Sequence, residues 1–173
     1  YSSAASDVYK RQILNWGKIE LSDTAKQYWL ETKNKWYLEN VLQMDKTAIL
    51  PGAKDFIERV KSVGYKTALG SASKNATTIL KIVGLDASFD IIVDGNKTTK
   101  SKPDPQVFTM CADALNIEYK NCVVFEDAEA GIEAALSAGM YAIGVGDKMV
   151  LKKAGFVVKD LSEMNLERLP FKK

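Results

Sequence analysis

The strongest constraint on this chain's fold is an alternation that fills its carboxyl-terminal two thirds. Short, almost wholly apolar runs follow segments that read as helices. The runs are "YKTALGS" (65–71), "FDIIVDG" (89–95), "CVVF" (122–125), "YAIGVG" (141–146) and "GFVVKDL" (155–161). A strand that is apolar at nearly every position buries both faces, and a helix between consecutive strands lets them run parallel. Gly64, Gly84 and Gly139 each follow a helical segment, where a left-handed residue ends the helix. Pro105 suits the first turn of a helix running to about Leu115, with Asp104 as its cap. The fold class that follows is α/β, a parallel sheet with helices on both faces. No sequence repeat accompanies the alternation.

The amino-terminal third reads differently. Residues 22–44 predict one long helix capped by Ser22, with Tyr28, Trp29, Trp36, Tyr37 and Val41 at mixed helical spacings. Asp45 to Gly52 breaks the pattern with Pro51-Gly52, and a domain boundary is placed there. "YSSAASDVYKRQ" (1–12) is polar, has neither structural period, and reads as a non-native leader.

Composition excludes several functions. Basic and acidic residues number 24 and 22, so the net charge of +2 argues for neither a nucleic-acid nor an anionic-membrane partner. No run is apolar over a membrane-spanning length, and no secretory core is present. Cys111 and Cys122 lie in apolar surroundings and read as small buried hydrophobes of a reduced, cytoplasmic protein. The sequence has no histidine, which rules out a Ser-His-Asp triad or a histidine metal site within it.

Ligands of open parallel sheets bind beyond the carboxyl ends of the strands. Three such ends carry polar residues of compatible kinds. In "GSASKNA" (70–76), Ser71 ends a strand, and Ser73, Lys74 and Asn75 lead into a helix whose free N–H groups can meet an anion. The same residues also fit a capped helix beside a solvated lysine. In "SKPDP" (101–105), Lys102 precedes a proline and is held extended, either as a fixed charge aimed into a site or as a surface lysine. In "VVFEDAEAG" (123–131), Glu126 and Asp127 follow an apolar strand. They are either solvated acids near a helix start or ligands of magnesium, which takes one or two carboxylates plus water and phosphate oxygens. A hydroxyl, a cation and a carboxylate pair at successive strand ends suit phosphoryl transfer, which depends on positioning and charge neutralisation. There is no P-loop, no nucleophile elbow and no full dinucleotide glycine motif.

With these residues assembled, the order "TALGSASKNA", "SKPDPQVF", "VVFEDAEAGIEAA", "AIGVG" resembles the haloacid dehalogenase superfamily, over roughly residues 13–170. Within it, "GSASKN" and "TTKSKPDPQVF" resemble the β-phosphoglucomutases. The resemblance implies a Rossmann-like parallel sheet carrying a helical cap. It implies that Ser71, helped by the Ala72 N–H, binds the phosphoryl group in transfer, and that Lys102 balances its charge. Glu126 and Asp127 would belong to a Mg2+ site. Ser73, Lys74 and Asn75 would hold the substrate's other phosphate, and Lys33 of the cap would reach over the sugar. The implied reaction interconverts β-glucose 1-phosphate and glucose 6-phosphate through glucose 1,6-bisphosphate and an aspartyl-phosphate, in a protein that is a monomer if complete.

The implied nucleophile and acid–base residue lie in an Asp-x-Asp-Gly motif on the family's first, central strand, and no such motif occurs in these residues. The expected organisation is therefore a leader at 1–12, a partial helical cap at 13–50, and a core lacking its first strand at 51–173. A sheet without a central strand is expected to be poorly stable or to associate through its edges. Two alternatives stay open beside the mutase: a sugar-phosphate phosphatase of the same superfamily, and a phosphate-binding fragment that does no chemistry.

Overall fold

A computed structural model describes residues 21–171; the leader expected at 1–12 lies outside them. Helix α1 spans Asp23–Leu42, and the Ser22 hydroxyl accepts the Ala25 N–H at 3.2 Å as the sequence predicts. Its aromatic residues do not share one face. Tyr28, Trp29 and Trp36 are more than half exposed, while Val41 is buried. The mixed spacing seen in the sequence spreads them around the helix.

The alternating region follows the order expected of it. Its elements are α2 (Ala53–Ser62), β1 (Ala68–Gly70), α3 (Ala76–Val83), β2 (Ile91–Val93), α4 (Gln106–Leu115), β3 (Val123–Glu126), α5 (Glu129–Ser137), β4 (Tyr141–Val145) and β5 (Phe156–Val158). Every pairing is parallel. Gly64, Gly84 and Gly139 take positive φ at or just past helix ends, whereas α4 ends on left-handed Asn116. Pro105 is the N-cap of α4 rather than a residue of its first turn, and the Asp104 carboxylate accepts the Gln106 N–H at 3.0 Å.

Alternate strand residues divide the core into layers. Val124 and Ala142 face a cluster with Val107, Phe108, Cys111, Ile132 and Ala135 from α4 and α5. Their neighbours Val123, Phe125, Tyr141 and Ile143 face the opposite side, onto Phe56 and Val60 of α2. Phe56 and Phe125 meet edge to face at 5.4 Å. In the other strand pair, Ala68, Ile91 and Val93 join the α4–α5 cluster, and Leu69 and Ile92 pack on Leu80 and Val83 of α3. This period-two division is what strands with two buried faces require.

The strands do not form one continuous sheet. They fall into β2-β1 and β3-β4-β5, with no ladder joining β1 to β3 among the described residues. One apolar layer, from α4 and α5, underlies both parts. Cys111 is buried, its thiol pKa pushed up to about 11 by burial, whereas Cys122 is only half-buried and not the fully buried residue expected. No helix among the described residues is long and apolar enough to cross a membrane.

Candidate active site at the strand carboxyl ends

Three candidate segments meet through one aromatic ring. β1 ends at Gly70, whose Cα faces Phe108 of α4; a Cβ there would lie 3.0 Å from the ring. The Lys102 ammonium stands over the same ring, 4.7 Å from its centroid. The same ammonium donates to Glu126 Oε2 at 2.8 Å. The Lys102 and Glu126 side chains are only 17% and 10% exposed, so this is a largely buried ion pair held against an aromatic face. The peptide between Lys102 and Pro103 is cis.

Glu126 occupies its place because Gly131 leaves room for it. A Cβ on Gly131 would fall 2.1 Å from Glu126 Cδ, so the carboxyl group lies against the first turn of α5. Burial raises the Glu126 pKa, and the Lys102 charge and the Ala128 N–H draw it back down. A buried carboxylate gains from each cation or N–H donor brought near it. Asp127 is exposed beside it on the connection to α5. No group of three or more Asp, Glu, Cys or His side chains gathers among the described residues. The two adjacent carboxylates are hard oxygen donors and suit magnesium, which is commonly held by one or two carboxylates and otherwise by water and phosphate.

The loop after β1 is built from serine turns. Ser71 N–H extends the ladder by donating to Val93 O at 2.9 Å. Its hydroxyl accepts Ser73 N–H at 3.1 Å, and the Ser73 hydroxyl accepts Asn75 N–H at 3.2 Å. Asn75 is the N-cap of α3 but makes no side-chain cap bond. The N–H groups of Ala72, Lys74, Thr77 and Thr78 find no acceptor among the described residues. These are the donors an anion would use. Lys74 is exposed and Ser71, Ala72 and Ser73 are half-exposed, so the loop is accessible.

The structure thus links the Gly70–Ser71 strand end, Lys102 and Glu126. Lys33 is exposed on α1 and forms no ion pair with the described residues. Sequence reasoning gave no role to Phe108 or Gly131. The signal for Gly131 was a glycine in the first turn of a helix, five residues after Glu126, where only close approach explains it. A shallow cleft lined by Lys46, Ile49, Leu50, Pro51, Lys54 and Val83 includes none of the candidate residues.

A family model for haloacid dehalogenase-like hydrolases matches residues 8–139. The chain is 34% identical over 157 residues to the β-phosphoglucomutase of Bacillus subtilis, covering 91% of this chain and 70% of that protein. It is 35% identical over 114 residues to a phosphorylated carbohydrates phosphatase of Thermotoga maritima, covering 62% of this chain and 53% of that one. The crystal structure of a β-phosphoglucomutase from Clostridium difficile superposes with a TM-score of 0.82 at 39% identity, over 90% of this chain and 70% of that one. These relatives include both a mutase and a phosphatase, so the likeness reaches the family and its fold rather than one reaction. The chain belongs to the haloacid dehalogenase-like hydrolase family.

Proposed function

We propose that the chain belongs to a β-phosphoglucomutase, interconverting β-glucose 1-phosphate and glucose 6-phosphate. The observation that carries this reading is the contact through Phe108, which ties an anion-accepting strand end to the Lys102–Glu126 pair. Ser71 and the Ala72 N–H bind the phosphoryl group in transfer. Lys102 balances its negative charge from a fixed position. Ser73, Lys74 and Asn75 hold the second phosphate of a glucose 1,6-bisphosphate, and Lys33 of α1 reaches over the sugar from a cap, for which 13–50 is the expected extent and of which 13–20 lie outside the described residues. Glu126 and Asp127 hold Mg2+, which neutralises phosphoryl charge as a Lewis acid when bound. The aspartyl nucleophile that the reading requires is not among these residues.

A phosphatase reading is favoured by the phosphatase among the relatives, and differs in that water takes the phosphoryl group. The test is incubation with β-glucose 1-phosphate, catalytic glucose 1,6-bisphosphate and magnesium, followed by product analysis. Glucose 6-phosphate supports the mutase, and free phosphate supports the phosphatase. Binding of glucose 6-phosphate without any product means that these residues bind but do not turn over. No binding removes the sugar-phosphate reading.

A further inference from the structure

The residues after β2 touch three successive carbonyls of the 71–75 loop. Gly95 N–H donates to Ser73 O at 3.1 Å, and the Asn96 carboxamide donates to Lys74 O at 2.9 Å. The Ala72 carbonyl lies against the Gly95 Cα, so closely that a Cβ there would stand 2.3 Å from its oxygen. Three successive carbonyls are therefore gathered on the side facing residues 95 and 96. In a trans peptide the following N–H points the opposite way. The N–H groups of Ser73, Lys74 and Asn75 are thus turned to the far side of the loop. Two of them are taken by the Ser71 and Ser73 hydroxyls, and Lys74 N–H is left to donate outward. Successive N–H groups facing one way form a concavity that suits an anion.

Asn96 is itself held. Buried Asp94 accepts the Asn96 backbone N–H on Oδ1 at 3.0 Å and its carboxamide on Oδ2 at 3.2 Å. One amide hydrogen goes to Asp94 and the other to Lys74 O, which fixes the side chain's direction.

We propose that Asp94, Gly95 and Asn96 are positioning residues that hold the 71–75 loop in its anion-accepting conformation. They act through the loop and touch no substrate. This inference rests on the phosphate-binding reading of the loop. The experiment titrates the 173-residue chain with inorganic phosphate and with glucose 6-phosphate, using calorimetry and amide NMR shifts. The variants are Asn96→Ala, Asn96→Asp and Gly95→Ala. Asn96→Ala removes both carboxamide bonds, and loss of the neutral one to Lys74 O, which alone holds the loop, predicts about 2- to 10-fold weaker binding. Asn96→Asp cannot donate to Lys74 O and should not rescue. Gly95→Ala forces backbone movement and should weaken binding further than Asn96→Ala. The readout specific to positioning is a diminished ligand-induced shift at the Lys74 amide under conditions where Asn96→Ala is still fully folded by its urea curve. Wild-type binding matched by Asn96→Ala, or lost only in proportion to lost folding, overturns the proposal. A wild-type chain that binds neither ligand overturns the phosphate-site reading and this inference with it.

Discussion

Replacing Gly131 by alanine should destabilise the chain, although the same change within a helix ordinarily stabilises. Gly131 lies in α5 and does not have positive φ, so an alanine backbone fits. Helix propensity alone favours alanine by about 1 kcal/mol. Against this, the new Cβ would lie 2.1 Å from Glu126 Cδ and 2.3 Å from Oε1. The Glu126 side chain is the end of a flexible chain and can swing aside. Doing so draws its carboxylate from Lys102, 2.8 Å away in surroundings that leave the two side chains 10% and 17% exposed. Breaking a buried pair costs about 3–5 kcal/mol. The net expectation is a loss of about 2–4 kcal/mol. Urea unfolding followed by circular dichroism measures it. The decisive comparison is the same change in a Glu126→Ala background, where the new methyl displaces no charged group and the gain of about 1 kcal/mol should reappear. A reversal of sign between the two backgrounds is the signature. A Gly131→Ala chain at least as stable as wild type would refute the coupling of this glycine to the ion pair.

Two further expectations concern the scaffold. Asp90, before β2, accepts the Thr67 N–H at 2.8 Å, and this bond, helped by Lys61 and the Thr67 hydroxyl, outweighs burial and lowers its pKa. A lowered folded-state pKa contributes stability that is present above the unfolded value of about 3.9 and is lost as pH falls through the folded one. Asp90→Asn should therefore cost about 1 kcal/mol at pH 7 and converge on wild type in acid; a cost that persists unchanged at low pH would contradict this. The two-part sheet leads to the second expectation. Among the described residues no ladder joins β1 to β3, and unpaired edges there should make the chain associate with rising concentration, with fast amide exchange on those edges. A concentration-independent monomer with one cooperative thermal transition would refute it.

What was legible in the sequence was what repeats. Strands buried on both faces are apolar at every position, so "CVVF" and "YAIGVG" announce β3 and β4 without reference to anything distant. Helix ends were legible where glycine marks them, and less so at Asn116, which takes the same left-handed geometry with a side chain. The candidate site was legible by position alone: Ser71, Lys102 and Glu126 follow strands, and strand ends are where parallel sheets bind. What joins these residues was not. Phe108 reads as one apolar residue of a helix, yet its ring touches both Gly70 and the Lys102 ammonium. Gly95 reads as the end of a strand run and Asn96 follows it, yet they hold the carbonyls of a loop some twenty residues earlier. Such contacts depend on which strands are neighbours, and strand order has no local signature. α1 shows the converse: its capping serine was predictable because a cap is local. Where Lys33 points was not, because the aromatic residues around it pick out no single buried face. A residue's chemistry is therefore readable from sequence when its partner is close along the chain or set by a period. The Lys102–Glu126 pair, whose partners lie on different elements, becomes visible only once the fold places both against one ring.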